Sequence, residues 1–205
     1  MEVCFIVSDS SSSDHHLIPD QLSQILLQQI EAPSDTSRLP AAVMLLLLWD
    51  SGVWKLLFTR RTEQLAHHSG QVSFPGGSLE PGENARAAAL RETHEEIGVA
   101  PADIHVLGCL PSIETNTNFY ITPFVGLLDW PYPLRLNQLE VARCFRVPLA
   151  WLADPSHHHM SPYRHSPKDP PRSLPYFEPF ENEVIWGATG MITLLLLEQL
   201  RLHKS

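Results

Sequence analysis

Glu92, Glu95 and Glu96 stand at i, i+3 and i+4 in a stretch rich in alanine and glutamate, which predicts a helix over 84–97. At about 100° per residue these three carboxylates share one face of that helix. Like charges at such spacing destabilise an isolated helix. Either water screens the face, as on many solvated helices, or the fold brings cations to it. A hard dication, Mg²⁺ or Mn²⁺, takes carboxylates together with water and phosphate oxygens, and would offset the repulsion.

The flanks of the helix narrow this choice. Pro75-Gly76-Gly77 brings backbone without side chains to the start of the unit, so that amides and carbonyls can approach a ligand or ion closely. Arg91 adjoins Glu92 and is able to hold a carboxylate in bidentate geometry. Glu83 lies near the helix start, where the dipole favours a carboxylate and where it can pair with Arg91. Gly98 just beyond the helix is a stop signal.

Gly77, Glu83, Arg91, Glu92, Glu95, Glu96 and Gly98, closing on Val99, follow the spacing G-x5-E-x7-R-E-U-x-E-E-x-G-U, where U is bulky and apolar. The stretch resembles the signature of the Nudix hydrolase family. Thr93 departs from it at the first U, at an expected small packing cost and no loss of chemistry. Seven residues at fixed spacing arise by chance on the order of once in 10⁸ start positions, so this is a specific match. The resemblance implies an α/β fold, an α/β/α sandwich with a mixed β-sheet and a loop–helix catalytic unit. It implies hydrolysis of a nucleoside diphosphate linked to another moiety. Carried over residue by residue, it makes Glu92, Glu95, Glu96 and the Gly77 carbonyl ligands of Mg²⁺ or Mn²⁺, with Glu83 and Arg91 holding loop and helix in place. A bound water would then attack phosphorus in line, with a carboxylate taking its proton.

Upstream, Leu57, Thr59, Arg61, Gly70 and Phe74 to Gly77 resemble the additional motif of the coenzyme A diphosphatase branch of this family. Arg60, Arg61 and Gly76 are the expected substrate-binding residues. Phe58 and Thr62 are mild departures. Ala66 stands where that motif has arginine, which removes a cation and favours the alternative of ADP-ribose, dinucleotides or another nucleotide substrate. Arg60, Arg61, His67 or His68 are candidates to replace the charge. Short downstream pieces such as Leu110-Pro111, Thr122-Pro123 and Val147-Pro148-Leu149 resemble the same branch. Glu140, ahead of an expected strand, matches a carboxylate that in the family completes the metal site or acts as base. A non-catalytic nucleotide-binding module on the same fold is the alternative of another class; three mutually repelling carboxylates argue against it.

The remaining chain reads as one domain. Its 205 residues with 43% hydrophobic content suffice for one core. Residues 1–16 read as a flexible lead-in and 17–205 as the domain. Within it, apolar spacing predicts a helix over 20–30 with Asp20 as N-cap. Strands are expected at 41–49 and 53–59, a hairpin broken by Asp50-Ser51-Gly52, and then at 71–74, 104–110, 121–128, 141–147 and 184–186. A short helical turn at 150–153 and a helix over 188–202 complete the list. Residues 154–173, rich in proline and histidine, read as a long surface loop or hairpin tip that could wall a groove for a pantetheine arm. Consecutive His157, His158 and His159 cannot all converge on one ion in a regular strand or helix. Trp151 and Trp186 read as core.

The net charge of −9 suits no nucleic-acid partner. Three scattered cysteines form no CxxC pair and fit a reducing compartment. The apolar runs at 44–49 and 194–197 fall far short of the ~20 residues of a membrane span. The expectation is a cytoplasmic protein with a small-molecule nucleotide diphosphate as substrate, no membrane partner, and a homodimer left open.

Overall fold

The computed structural model describes residues 14–26, 37–63, 70–164 and 171–202. The uncharged run forms the middle of a strand, β1 (Leu39–Asp50). Met44, Leu45, Leu46, Leu47 and Leu48 are all fully buried. Alternate residues of a strand face opposite sides, so both sides of β1 must be covered. Met44, Leu46 and Leu48 join one apolar cluster and Leu45 and Leu47 the other. Ser51 and Gly52 both take positive φ, as a two-residue hairpin turn demands, and lead into β2 (Val53–Arg61). Leu47 pairs with Leu56 across this hairpin and Asp50 with Val53.

Among the described residues the sheet has eight strands. β1 lies parallel to β7 (Phe119–Leu128), which is flanked by antiparallel β5 (Ile104–Cys109) and β6 (Ile113–Glu114). On the other side β2 pairs with β3 (Val72–Ser73) and with β8 (Val141–Pro148), both antiparallel. A three-residue strand, β4 (Gly76–Ser78), pairs with β1 at Ala41, Ala42 and Val43. One face of the sheet is covered by α2 (Ala85–Ile97), whose Ala88, Ala89 and Ile97 meet Met44, Leu46 and Leu57. The other face carries α1 (Asp14–Ile25), α3 (Leu149–Leu152) and α4 (Gly187–Leu202). They pack Leu22, Leu152, Ile192 and Leu196 against Leu45, Leu56 and Phe58. The architecture is thus a mixed sheet between helices, an α/β/α sandwich.

Several local expectations change. Asp20 is not an N-cap: α1 begins at Asp14 and Asp20 lies inside it, so spacing alone misplaced the start. The expected helix residues 27–30 lie outside the described residues. Residues 184–186 form no strand. Isolated bridges Phe180 to Glu183 and Tyr176 to Trp186 stand there, because Glu181 and Asn182, both at positive φ, turn the chain first. The proline- and histidine-rich segment contains β9 (His158–Tyr163), paired antiparallel with β10 (Arg172–Phe177) as a separate two-stranded sheet. The three histidines diverge. His157 stacks on Trp151 at 4.3 Å and its Nδ1 meets the Trp151 carbonyl at 2.9 Å, while His159 faces Glu178 at 3.7 Å.

Candidate metal and diphosphate site

The loop–helix unit is built by ordinary local rules. Asn84 caps α2: its side-chain oxygen accepts a hydrogen bond from the Ala87 amide at 2.9 Å. Gly98 closes the helix at φ 74°, where its amide reaches the His94 carbonyl. The hydroxyl of buried Thr93 is satisfied inside the helix, donating to the Ala89 carbonyl at 2.6 Å.

Arg91 is the hub. Its Nε and Nη2 donate to the two oxygens of Glu83, each at 3.0 Å. Its Nη1 reaches Glu92 at 2.9 Å and Glu95 at 3.0 Å, and Nη2 also donates to the Ser78 carbonyl at 3.2 Å. One guanidinium therefore ties β4, the loop and the helix together. Glu83 also accepts from the Glu80 amide at 3.0 Å. The Arg91 hydrogen bonds hold the Glu83 carboxyl below its ordinary range, and Glu83 is the main reason the Arg91 pKa rises.

Glu96 lies deeper, with 2% of its surface exposed. Burial pushes its pKa up to about 8, opposed by Arg61 and by the Gly76 amide, and reinforced by the negative charges of Glu92 and Glu140. Its Oε1 stands 3.6 Å from Arg61 Nη1, while its Oε2 is buried without a hydrogen-bond partner. A buried carboxylate oxygen with nothing to accept from is costly and calls for an occupant. Glu92 is also raised, first by burial and then by Glu95 and Glu140, against the lowering effect of Arg91. A Cβ on Gly77 would fall 2.6 Å from the Glu92 carboxylate, so glycine is what lets the backbone lie against that side chain.

Glu140 reaches this cluster from outside the helix. The connection between β7 and β8 runs across the end of α2, where the Arg135 and Asn137 amides donate to the Ile97 and Glu96 carbonyls, each at 2.9 Å. Asn137 then closes a turn, accepting from the Glu140 and Val141 amides on its carbonyl and donating from Nδ2 to Glu140 Oε1 at 3.1 Å. Asn137 was not foreseen from sequence, although an asparagine closing a polar turn three residues before an acidic one is a recognisable signal.

Of the expected residues, the structure gathers Gly76, Gly77, Glu83, Arg91, Glu92, Glu95, Glu96, Glu140 and Arg61 in one region. Arg60 does not join them. Successive residues of β2 face opposite sides, and Arg60 pairs instead with Glu63 at 2.7 Å and buried Glu183 at 3.4 Å. Ala66, His67 and His68 lie outside the described residues.

Among the described residues no three His, Cys, Asp or Glu side chains already converge as a ligand set, since Arg91 draws Glu92 and Glu95 towards itself. The donors nonetheless fit a hard dication. They are all oxygens, one of them is buried and unpartnered, and neighbouring negative charges add to burial in raising the pKa of Glu92 and Glu96.

Comparison with known proteins agrees with this geometry. The family model described as NUDIX domain matches residues 38–166. Nudix hydrolases named NudL, described as uncharacterised, are 36% identical over 145 residues in Yersinia pestis (strain Pestoides F) and in Yersinia pseudotuberculosis serotype O:1b (strain IP 31758). The matches cover 70% of this chain and 71% of each relative. In fold, a MutT/nudix family protein from Enterococcus faecalis superposes with a TM-score of 0.50 at 15% identity, over 95% of this chain and 74% of that one. A motif with its spacing intact, the sandwich that positions it and the matching relatives converge: the chain belongs to the Nudix hydrolase family.

Proposed function

We propose that this chain is a divalent-cation-dependent diphosphatase that cleaves coenzyme A or acyl-coenzyme A into 3′,5′-ADP and (acyl-)4′-phosphopantetheine. The observation that carries the hydrolase reading is buried Glu96, whose unpartnered Oε2 lies among the other carboxylates of the site. Glu92, Glu95, Glu96 and Glu140, with the Gly77 carbonyl, would hold Mg²⁺ or Mn²⁺. Such an ion, when bound, neutralises the diphosphate and lowers the pKa of a coordinated water.

The chain's own residues do the positioning. Arg91 and Glu83 lock the loop to the helix, so the carboxylates are presented from rigid backbone. The Gly76 amide and Arg61 orient Glu96, and Arg61 carries a positive charge at the place where diphosphate oxygens would lie. Glu95, exposed, and Glu140, held by Asn137, are the carboxylates able to accept the proton of the attacking water.

Coenzyme A is favoured by Leu57, Thr59, Arg61, Gly70 and Phe74 to Gly77. Thr59 bonds Ser73 in β3 and so ties this strand to the turn that delivers Gly76 and Gly77. Among the described residues no helix is long and apolar enough to cross a membrane. Ala66 favours a second reading, in which ADP-ribose or a dinucleotide is the substrate.

Incubation with Mg²⁺ or Mn²⁺ and coenzyme A, acyl-coenzyme A, ADP-ribose and dinucleotides, with mass analysis of the products, decides between them. The expected result is 3′,5′-ADP with phosphopantetheine, abolished by a chelator. Cleavage confined to ADP-ribose or dinucleotides would establish the second reading. No cleavage of any of them would leave a binding module.

A further inference from the structure

A cavity of about 260 Å³ opens along β8 and β2, the strand that ends in Arg61. Pockets that bury a whole drug-sized molecule run to about 300–1,000 Å³, so this one suits a part of a larger substrate. Lys55, Leu57, Cys144 and Arg146 line it from the strands, and Trp130 and Leu134 from the connection that also carries Glu140. Register places the strand residues together: Lys55 opposes Pro148, Leu57 opposes Arg146 and Thr59 opposes Cys144, so all share the sheet face that α2 covers. Arg61 stands on that face four residues beyond Leu57, about 13 Å along the strand.

The charge lining the cavity is unbalanced. Lys55 Nζ and Arg146 Nε both turn to one carboxylate, Asp50, at 2.8 and 3.6 Å. That leaves one positive charge in excess on the strand wall. Glu181 on the rim is engaged by Arg143 at 2.6 Å. The Arg146 guanidinium carbon lies over the Trp130 ring, 4.3 Å from its centre, a cation–π contact that holds it in place and offers a cationic wall.

We propose that this cavity seats the nucleoside end of the substrate, with Lys55 and Arg146 receiving a phosphate carried on the ribose in addition to the diphosphate. The inference rests on the diphosphatase reading and adds a selectivity to it. A nucleotide with a ribose phosphate gains a partner here that ADP-ribose lacks. Arg146 and Lys55 are then specificity residues, about one nucleoside's reach from the metal-holding cluster.

Kinetics with coenzyme A and with dephospho-coenzyme A, which lacks only the ribose phosphate, test this. In the wild type, coenzyme A is expected to be preferred by roughly tenfold or more in kcat/KM. Arg146→Ala and, separately, Lys55→Gln should erase most of that preference, raising KM for coenzyme A several-fold more than for dephospho-coenzyme A. Equal loss on both substrates, or an unchanged preference in both variants, would overturn the assignment. Calorimetric binding of adenosine 3′,5′-bisphosphate and of AMP judges the cavity apart from the reaction. Tighter binding of the bisphosphate, lost in Arg146→Ala and in Lys55→Gln, upholds the site even if neither coenzyme is cleaved and the diphosphatase reading fails. Equal binding of the two nucleotides refutes it even if coenzyme A is cleaved.

Discussion

Glu96 concentrates the chemistry of the site in one side chain. Its carboxyl is buried, close to Arg61 and missing a partner on Oε2. Glu96→Gln keeps the shape and removes the charge, so turnover should fall by about 10²-fold or more while thermal unfolding shows an intact fold. Unchanged turnover would remove Glu96 from the mechanism. The raised pKa also predicts a pH dependence. The folded state holds this proton up to about 8, whereas an unfolded glutamate releases it near 4.5. In the metal-free protein this contribution to stability is complete below about pH 4.5 and is lost as pH rises through 8. Urea midpoints between pH 5 and 8.5 should fall in the wild type and fall less in Glu96→Gln. Because a metal must displace the same proton, Mg²⁺ affinity should climb over that window.

Elements matter where they deliver a residue that the helix cannot supply. The connection ahead of β8 satisfies two carbonyls at the end of α2 and, through Asn137, fixes Glu140 beside Glu92 and Glu96. Asn137→Ala removes the side-chain contacts to Glu140 and to the Leu139 amide and leaves the backbone turn. The expected outcome is a loss of roughly 1 kcal/mol in stability, as for one hydrogen-bonding side chain, with a larger fall in metal affinity. Titration of Mg²⁺ or Mn²⁺ alongside denaturant unfolding separates the two effects; a variant with wild-type metal affinity would show that Glu140 needs no such anchor. The α2 unit was legible in sequence because its signals are local: a start at Asn84 or Glu83, Gly98 as stop, and carboxylates three and four apart. The short strands β4 and β6 were not. Three or two residues carry no usable period, and their pairing is decided by distant strands.

At the scale of the molecule, adjacent arginines serve different purposes because the sheet separates them. Arg61 turns to the α2 side and Glu96. Arg60 turns to the other side, where it and Arg143 meet buried Glu183 ahead of α4, at 3.4 and 3.5 Å. Arg60→Ala should therefore lower stability by about 1–3 kcal/mol, by leaving a buried carboxylate short of a partner, and change KM little. Arg61→Ala should instead impair turnover. Parallel denaturation and steady-state kinetics check the pair, and a raised KM in Arg60→Ala would return that residue to the substrate. The sequence by itself determined the sandwich's central strands, the capped helix and the carboxylate motif. Each rests on period, turn chemistry or spacing within a few residues. Only the tertiary structure decided which carboxylate is buried, that Asn137 holds Glu140, and that Lys55, Trp130 and Arg146 share a cavity. Those residues lie far apart along the chain, and strand register and the crossing of one connection over a helix end bring them together.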